Sequence, residues 1–560
     1  MNQPTPAIVS QDAARRLPRV ALLLFCLAYV VPGFIGRQPW KNADIAAFGH
    51  MFELALGRAH WLAPTLLGQP PEFDALLPYW LGAAAIQLAP SFMTPDLAVR
   101  IVFTLLLTLT LVATWYGVYS LARTPKAQPV PFAFGGEANP TDYARAMADG
   151  GLLALIACLG LAQLSHETTP ALAQVCFTAV SFFAIAALPR RPVAAALCLF
   201  AGFAGLAMSG APSMAALFGL GAIAITWIDR DEETVAAATR TSVTLAAGIA
   251  LVALLSYALD LAHWRLLEGN VGRLVPLGRL LLWFTWPAWP LALWTVWRWR
   301  RQLWSRHLAL PLWFTVVGIG TTWLTPSSDR SLLLELPPLA TLAAFALPTL
   351  SRTVSALIDW FTLLFFSGCA FVIWVIWISL QTGVPPKPAQ NVARLAPGFE
   401  PSFSLVAFAL ALVATVAWLW LVKWRTGRHR VVIWKSLVLP AGGAALCWLL
   451  VMTLWLPVLD YARGYTPLVR AVQSHMPASN GCVEVFGLSR AEVAAFRYHG
   501  HMNLVVAGRD AACPWLIAND DMTAAMPISV DMRGWHQVAK IRRPADNNEN
   551  VVLYRKAARP

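Results

Sequence analysis

Charge is scarce in this chain. Asp, Glu, Lys and Arg make up 13% of its 560 residues, against roughly 25% in an ordinary soluble domain. That shortage excludes a conventional soluble enzyme. With 58% hydrophobic residues and a mean hydropathy of +0.58, the chain reads as an integral membrane protein. Acids are scarcer than bases, 29 against 42. The resulting formal charge of +13 does not describe a nucleic-acid binder. The excess sits in short loops between apolar runs, as the positive-inside rule requires, and no basic, aromatic surface pattern accompanies it. Internal repeats and long low-complexity runs are missing too. The N-terminal segment precedes an apolar run without a small-residue cleavage site, so residues 1–17 read as an uncleaved cytoplasmic tail.

What is abundant is apolar sequence of spanning length. A spanning helix needs about 20 mostly apolar residues. That rule predicts helices near 18–36, 97–122, 149–165, 170–188, 193–209, 212–228, 241–262, 277–297, 309–325, 331–350, 356–380, 403–422 and 431–456. The expected fold class is therefore a polytopic α-helical membrane protein of about 13 transmembrane helices. A further run, 76–90, is short and carries Pro78 and Gln87, which suits a re-entrant or interfacial helix. The 26 Trp fit a chain with many membrane interfaces, where the indole sits at headgroup level. Basic clusters such as Arg15, Arg16 and Arg19, or Arg298, Arg300, Arg301 and Arg306, fall on alternate connections. By the positive-inside rule those connections are cytoplasmic. An odd number of spans then leaves the C-terminus on the other side.

From about Asp460 the composition changes. Residues 457–560 alternate helix and strand patterns: a helix at VRAVQSHMP, strands at CVEVFGL, NLVVAG, CPWLIAN and NVVLYRK, and a helix at RAEVAAFRYH. The reading is a small periplasmic α/β domain following a membrane domain at 18–456. It contains neither a Gly-rich phosphate loop nor zinc-ligand spacing. Six of the eight Cys lie in apolar runs as packing residues, whereas Cys482 and Cys513 lie in the polar domain. In an oxidising compartment a disulfide between those two is expected.

The most polar stretch of the membrane domain is the loop 37–96, above all GRQPWKNADIAAFGHMFELALGRAHWLAPTLLGQPPEFDALLPYWL from Gly36 to Leu81. It is too polar to span a bilayer, yet it alternates short amphipathic helix patterns with Trp and Pro. Ionisable groups near the ends of membrane helices are costly, so they are functional candidates by default. Asp44 opens a helix, where the dipole stabilises a carboxylate; that alone could explain it, and a catalytic carboxylate is the alternative. Glu72 and Asp74 open a further helix and could share general-base work or a metal ion with it. On the same side fall His166 and Glu167 in SHETTP, His263, and Asp329 with Arg330 in SSDRSLLLELPPLA. Capping accounts for Glu167 equally simply. Arg330 is either an interfacial anchor or a group holding a lipid-linked phosphate by paired, charge-assisted hydrogen bonds.

Taken in order, these words resemble the GT-C membrane glycosyltransferases, in the bacterial branch related to protein O-mannosyltransferases and the lipid A aminoarabinose transferase. RQPWKNADIAAFGHMFELA is similar to the family's Arg-x-Pro-Trp-x-x-Asp-Glu segment running into a helix. WLAPTLLGQPPEFDALLPYWLGAAAIQL, SHETTPAL, GLAMSGAP and RSLLLELPPLA resemble later landmarks, and the ordered set covers about 450 residues. The chain departs from the pattern in having Ala43-Asp44 for adjacent acids, Phe73-Asp74-Ala75-Leu76 for Glu-Lys-Pro-Pro, and Ser209 for a Lys.

The resemblance implies a GT-C fold in the bacterial inner membrane. It implies an inverting transfer on the periplasmic face, from a sugar on undecaprenyl phosphate to lipid A, a protein or another envelope glycan. Asp44 would be the base for a hydroxyl acceptor, with Asp74 and Glu72 as companion acids. Arg37, Lys41, Arg58, Tyr79, His166, Glu167 and Arg330 would bind substrate, the cations neutralising the departing phosphate. No cofactor is required by this chemistry, and a divalent metal is left open. Two other classes remain: a lipid-linked sugar transporter, which should show broken or charged helices at mid-membrane, and a non-catalytic scaffold.

Overall fold

The computed structural model describes residues 5–229, 235–261, 274–324, 328–427, 432–476, 481–509 and 512–557. It is an α-helical integral membrane protein with a small C-terminal sheet. Among the described residues, eight helices are long and apolar enough to cross a membrane: Pro95–Ala122, Pro170–Ala187, Val235–Ala258, Arg306–Leu324, Leu332–Thr349, Arg352–Thr382, Leu405–Thr426 and Ile433–Leu454. Four shorter apolar helices, Arg19–Val30, Pro192–Met208, Pro212–Ile228 and Val275–Phe284, accompany them.

The differences from the expected helices have local causes. The helix expected over 149–165 is displaced: the chain is helical over Pro140–Ala157 and again briefly over Leu161–Leu164. The helix expected over 277–297 is divided between Leu274–Phe284 and Ala288–Arg298, with Pro287 at the break, where proline lacks the N–H that a continuing helix needs. The helix at Arg352–Thr382 runs to 31 residues and ends at Gly383, whose φ of 76° supplies the left-handed cap.

Inside the bilayer the hydrophobic effect gives little reason for helices to associate, so small residues that allow close approach carry much of the packing. Gly117 lies against Phe182, and Gly202 against Ser181. The helices Arg352–Thr382 and Leu405–Thr426 instead turn apolar side chains outward: Leu364 is 68% exposed and Trp420 64%. A surface of that kind is stable against lipid tails.

Between the first apolar helix, α1 (Arg19–Val30), and the long α4 (Pro95–Ala122) lie two short helices, α2 (Ala43–Ala55) and α3 (Leu77–Leu88). Although α2 is only 13 residues long, nine of them are buried, including Ile45, Phe48 and Met51. It stops at Gly57, whose φ of 69° lets Gly57 N donate to Leu54 O and Arg58 N donate to Glu53 O. The loop is thus a folded platform.

The C-terminal sheet has five strands: β1 (Cys482–Phe486), β2 (Asn503–Val506), β3 (Trp515–Asn519), β4 (Trp535–Arg543) and β5 (Asp546–Lys556). Their order is β2-β1-β3-β5-β4, with β1 parallel to β2 and β3, and β5 antiparallel to β3 and β4. The edge strand β4 has no counterpart in the sequence reading: most of its polar residues are exposed, Arg543 at its end being buried, and register shifts interrupt it. Cys482 and Cys513 are joined, their Cα atoms 5.3 Å apart.

The helix Arg490–Tyr498 begins with a capping box, Ser489 and Glu492 satisfying each other's backbone N–H. It packs on α2 so closely that a Cβ added at Gly49 would lie 2.5 Å from the Ala494 methyl. Around it, Tyr498 Oη donates to Asp96 (2.7 Å), Gln69 Nε2 donates to Leu488 O (3.2 Å), and Lys41 pairs with Asp546. The sheet domain is therefore fastened to the loop platform.

Candidate functional site

Where platform and sheet domain meet there is a cavity of about 840 Å³. Its walls come from four places in the chain. The start of α2 gives Lys41, Asn42, Ala46 and His50; the segment before α3 gives Gln69, Glu72 and Phe73, and α3 itself gives Tyr79. The turn ahead of the Pro170–Ala187 helix gives Gln163, Glu167 and Thr169, beside Arg330. The C-terminal part gives Arg463, Arg490, Glu492, Asn519 and Glu549. Both bases and acids stand on this wall, which suits a polar ligand carrying negative charge and hydroxyls.

Asp44 lies beneath this wall and not on it; it is fully buried. Its Oδ2 accepts from Arg37 Nη2 at 2.8 Å and from the Trp40 backbone N–H at 3.1 Å. Its Oδ1 accepts from both the backbone N–H and the Oγ1 hydroxyl of Thr168, each at 2.7 Å. Arg100 approaches to 4.0 Å. Burial pushes the Asp44 carboxyl upward, but the Arg37 and Arg100 charges and the Thr168 bonds outweigh it and hold the group below the usual carboxylate range. Asp44 is thus a carboxylate with both oxygens occupied. In this arrangement the four donors leave Asp44 no free lone pair toward the cavity.

Arg37 is spent in the same way. It is 2% exposed, donates also to His166 O at 3.2 Å, and stacks over Trp40 at 3.9 Å from the ring centroid. Trp40 in turn donates its indole N–H to Asp460 at 2.7 Å. His166 is buried among Phe34 and Trp448 with its two ring nitrogens facing the Ala162 and Tyr29 carbonyls; burial pushes it down to about 3, and the neutral ring has one N–H, which serves one of the two. His166 is not on the cavity wall.

Glu167, between these two buried neighbours, does reach the cavity. Its Oε2 accepts from Arg330 Nε at 3.0 Å and Nη2 at 2.9 Å. Burial raises the Glu167 carboxyl above the usual range; the Asp44 charge adds to the rise, and Arg330 and Arg37 oppose it. A carboxyl poised in this way is suited to take a proton.

Of the remaining expected residues, Lys41, Glu72, Tyr79 and Arg330 line the cavity. Asp74 is not on its wall, and Arg58 points elsewhere, half exposed and 3.5 Å from Glu53. His263 lies outside the described residues, as does the side chain of Asp329. Arg463 and Arg490 were missed. Neither makes an ion pair among the described residues, and Arg490 Nε has no hydrogen-bond partner. The Ser489–Glu492 capping signature marks Arg490 as the first residue of a helix, but nothing in the sequence says that this helix faces the loop. Among the described residues no three His, Cys, Asp or Glu side chains converge in a way that would hold a metal ion.

No family model matches the chain, and no curated protein matches it in sequence. Solved structures do. The crystal structure of ArnT from Cupriavidus metallidurans bound to undecaprenyl phosphate is similar with a TM-score of 0.60 at 13% identity, covering 97% of this chain and 99% of that one. The apo state of the same protein is similar with a TM-score of 0.57 at 14% identity, covering 97% and 98%. Helices, loop platform and C-terminal sheet together therefore make up a chain with the fold of ArnT, the GT-C fold.

Proposed function

We propose that the chain is a glycosyltransferase that moves a sugar from a polyprenyl phosphate to an acceptor in the cavity between the loop platform and the sheet domain. The observation that carries this reading is Glu167, a cavity carboxyl with raised proton affinity, held by Arg330 and carried on a turn fixed to Asp44. The ArnT structure of the same fold has undecaprenyl phosphate bound, which supports a lipid phosphate as donor carrier.

The chemistry is one displacement. The acceptor oxygen attacks the anomeric carbon while its proton passes to the free oxygen of Glu167. The carbon–oxygen bond to phosphate breaks on the opposite face, so the configuration inverts, and the polyprenyl phosphate departs with the electron pair. Negative charge grows on that phosphate as the bond breaks. Arg463, Arg490, Lys41 and Arg330 are the cations available to stabilise it. Asp44 is a positioning residue: it neutralises buried Arg37 and Arg100 and anchors Thr168. Glu72 and Tyr79 are placed to hold sugar or acceptor hydroxyls.

The site would face the periplasm of a bacterial inner membrane, with residues 1–17 cytoplasmic and 457–560 periplasmic. Arg15, Arg16 and Arg19 precede the first helix, and basic clusters recur at that end of the bundle, as the positive-inside rule requires. Lipid A or another envelope glycan is the proposed acceptor. Mass spectrometry of lipid A and envelope glycans tests this: one sugar mass should disappear on deletion and stay absent with Glu167→Gln expressed at normal level. Unchanged glycans with a lipid-linked donor demonstrably present would refute it.

A further inference from the structure

A second cavity, of about 1020 Å³, lies at the other end of the helix bundle. Its separation from the first follows from the helix Val438–Leu454. Lys435, just ahead of that helix, lines the second cavity, while Asp460, just beyond it, accepts from Trp40 below the first. Seventeen helical residues span about 26 Å, most of a bilayer's apolar core.

The polar side of this cavity is cationic. It is lined by Arg352, Arg425 and Lys435, with Asp12 and Asp359 as its acids. Both acids are engaged: Asp359 pairs with Arg425, and Asp12 pairs with Arg15 at 2.8 Å. Arg352 and Lys435 have no ion-pair partner among the described residues. Lys435 is the stronger signal, because it is only 6% exposed. Its Nζ has no hydrogen-bond acceptor among the described residues, only the face of Trp424 at 5.5 Å from the ring centroid. The nearest carboxylate, Asp359, is shared with Arg425, with which it forms an ion pair, so the covered ammonium is only partly compensated and an anion in the cavity lowers the remaining cost. The first turn of the helix Arg352–Thr382 adds the backbone N–H groups of Arg352 and Thr353 at the same place, that of Val354 being taken by Ser351 Oγ.

The other side of the cavity is apolar, with Trp360, Leu363 and Leu439 on its wall. It continues into outward-facing chains on the same helix, Leu364 at 68% and Phe371 at 69% exposed. A soluble anion has no use for that wall. An amphiphile does: its headgroup meets two unpaired cations and its tails lie along a lipid-facing helix.

We propose that this cavity binds an anionic glycerophospholipid of the surrounding bilayer, its phosphate between Arg352 and Lys435 and its acyl chains against Trp360, Leu363 and Leu439. This inference is independent of the proposed transferase activity. The test is native mass spectrometry of the detergent-solubilised full chain, titrated with phosphatidylglycerol, with phosphatidylcholine of the same acyl chains, and with inorganic phosphate. Phosphatidylglycerol should be retained at least fivefold more strongly than phosphatidylcholine, and inorganic phosphate should leave no adduct. Arg352→Gln changes an exposed residue with no partner to lose, and it should cut the preference several-fold without altering the elution profile; Lys435→Gln should do the same. Equal retention of the two lipids, a preference untouched by either variant, or capture of inorganic phosphate alone would each overturn the proposal.

Discussion

Thr168 gives both its backbone N–H and its Oγ1 hydroxyl to a single oxygen of Asp44, each at 2.7 Å. Through that double bond a buried carboxylate in the loop after α1 fixes the turn that carries Glu167, more than 120 residues further along the chain. Thr168→Val keeps the shape and the backbone bond and removes the hydroxyl. A hydrogen bond to a charged group contributes about 1.5–3 kcal/mol. Transfer should therefore slow roughly ten- to a hundredfold where the turn must be held for reaction, with recovery in Thr168→Ser. Equal rates in all three proteins would show that Asp44 does not act through Thr168.

Asp44→Asn should damage the fold before it damages the chemistry. It leaves Arg37, at 2% exposure, without its counter-charge, and breaking a buried pair costs about 3–5 kcal/mol. Thermal unfolding in detergent should show a lower midpoint, and Arg37→Met combined with Asp44→Leu should recover part of the loss. A stable, inactive Asp44→Asn protein would instead favour direct catalysis by Asp44.

Glu167 should set the acid limb of the rate profile. Its carboxyl sits above the usual range, chiefly because it is buried, and a base must be deprotonated to work. Activity should fall on acidification at a higher pH than an ordinary glutamate would cause. Glu167→Gln should abolish transfer and, because it also takes the counter-charge from Arg330, lower the unfolding midpoint without unfolding the protein; an unaltered profile in that variant would assign the base elsewhere.

Two buried histidines make stability acid-sensitive. His166 is held down to about 3 and His50 to about 4, each mainly by burial, against 6.5 for the ordinary group. Between those values the unfolded chain binds more protons than the native one, so stability rises with pH across that window and is lost as pH falls through it. Asp44, held low, adds a loss of the same sign at still lower pH. The unfolding midpoint should drop progressively below about pH 6.5, and His166→Gln, Phe or Leu variants that still fold should show a shallower slope.

How far the sequence discloses all this depends on the range of the signal. Spans are written in composition, so most of their positions are legible to within several residues, but their number is not: about thirteen are expected, and among the described residues eight helices have spanning length with four shorter apolar ones beside them. Pro287 is a visible break that the periodic reading passed over. Asp44, Glu167 and Arg330 stand out as ionisable groups beside apolar runs. Their partnership is invisible, because it joins loops 124 and 163 residues apart. For the same reason Arg463 and Arg490 looked like ordinary charges of a separate domain. The packing of the Arg490–Tyr498 helix on α2 at Gly49 brings Arg490 to the cavity, and Arg463 reaches it from the end of the helix Leu456–Arg463, where its carbonyl accepts from Lys41 N.

That packing is itself testable. Gly49→Ala places a methyl 2.5 Å from Ala494, so one of the two helices must shift. A swing of the sheet domain should expose the α2 face to protease and reduce transfer, whereas Gly368→Ala, at a helical glycine with open space around it, isolates the effect of simple glycine loss. Equal protease patterns would mean that the sheet domain is not seated by this contact. A thiol count on denatured, unreduced protein should find Cys482 and Cys513 blocked and the other six cysteines free.

The central claim is sugar transfer at the Glu167 cavity, and envelope glycan mass spectrometry addresses it most directly. Cells lacking the chain would be compared with the same cells carrying wild-type protein or Glu167→Gln at matched membrane levels. One sugar mass restored by the wild type and not by Glu167→Gln is the expected result. Restoration by both proteins would remove Glu167 from the reaction. No difference between any of the strains, with the lipid-linked donor present, would contradict glycosyl transfer itself.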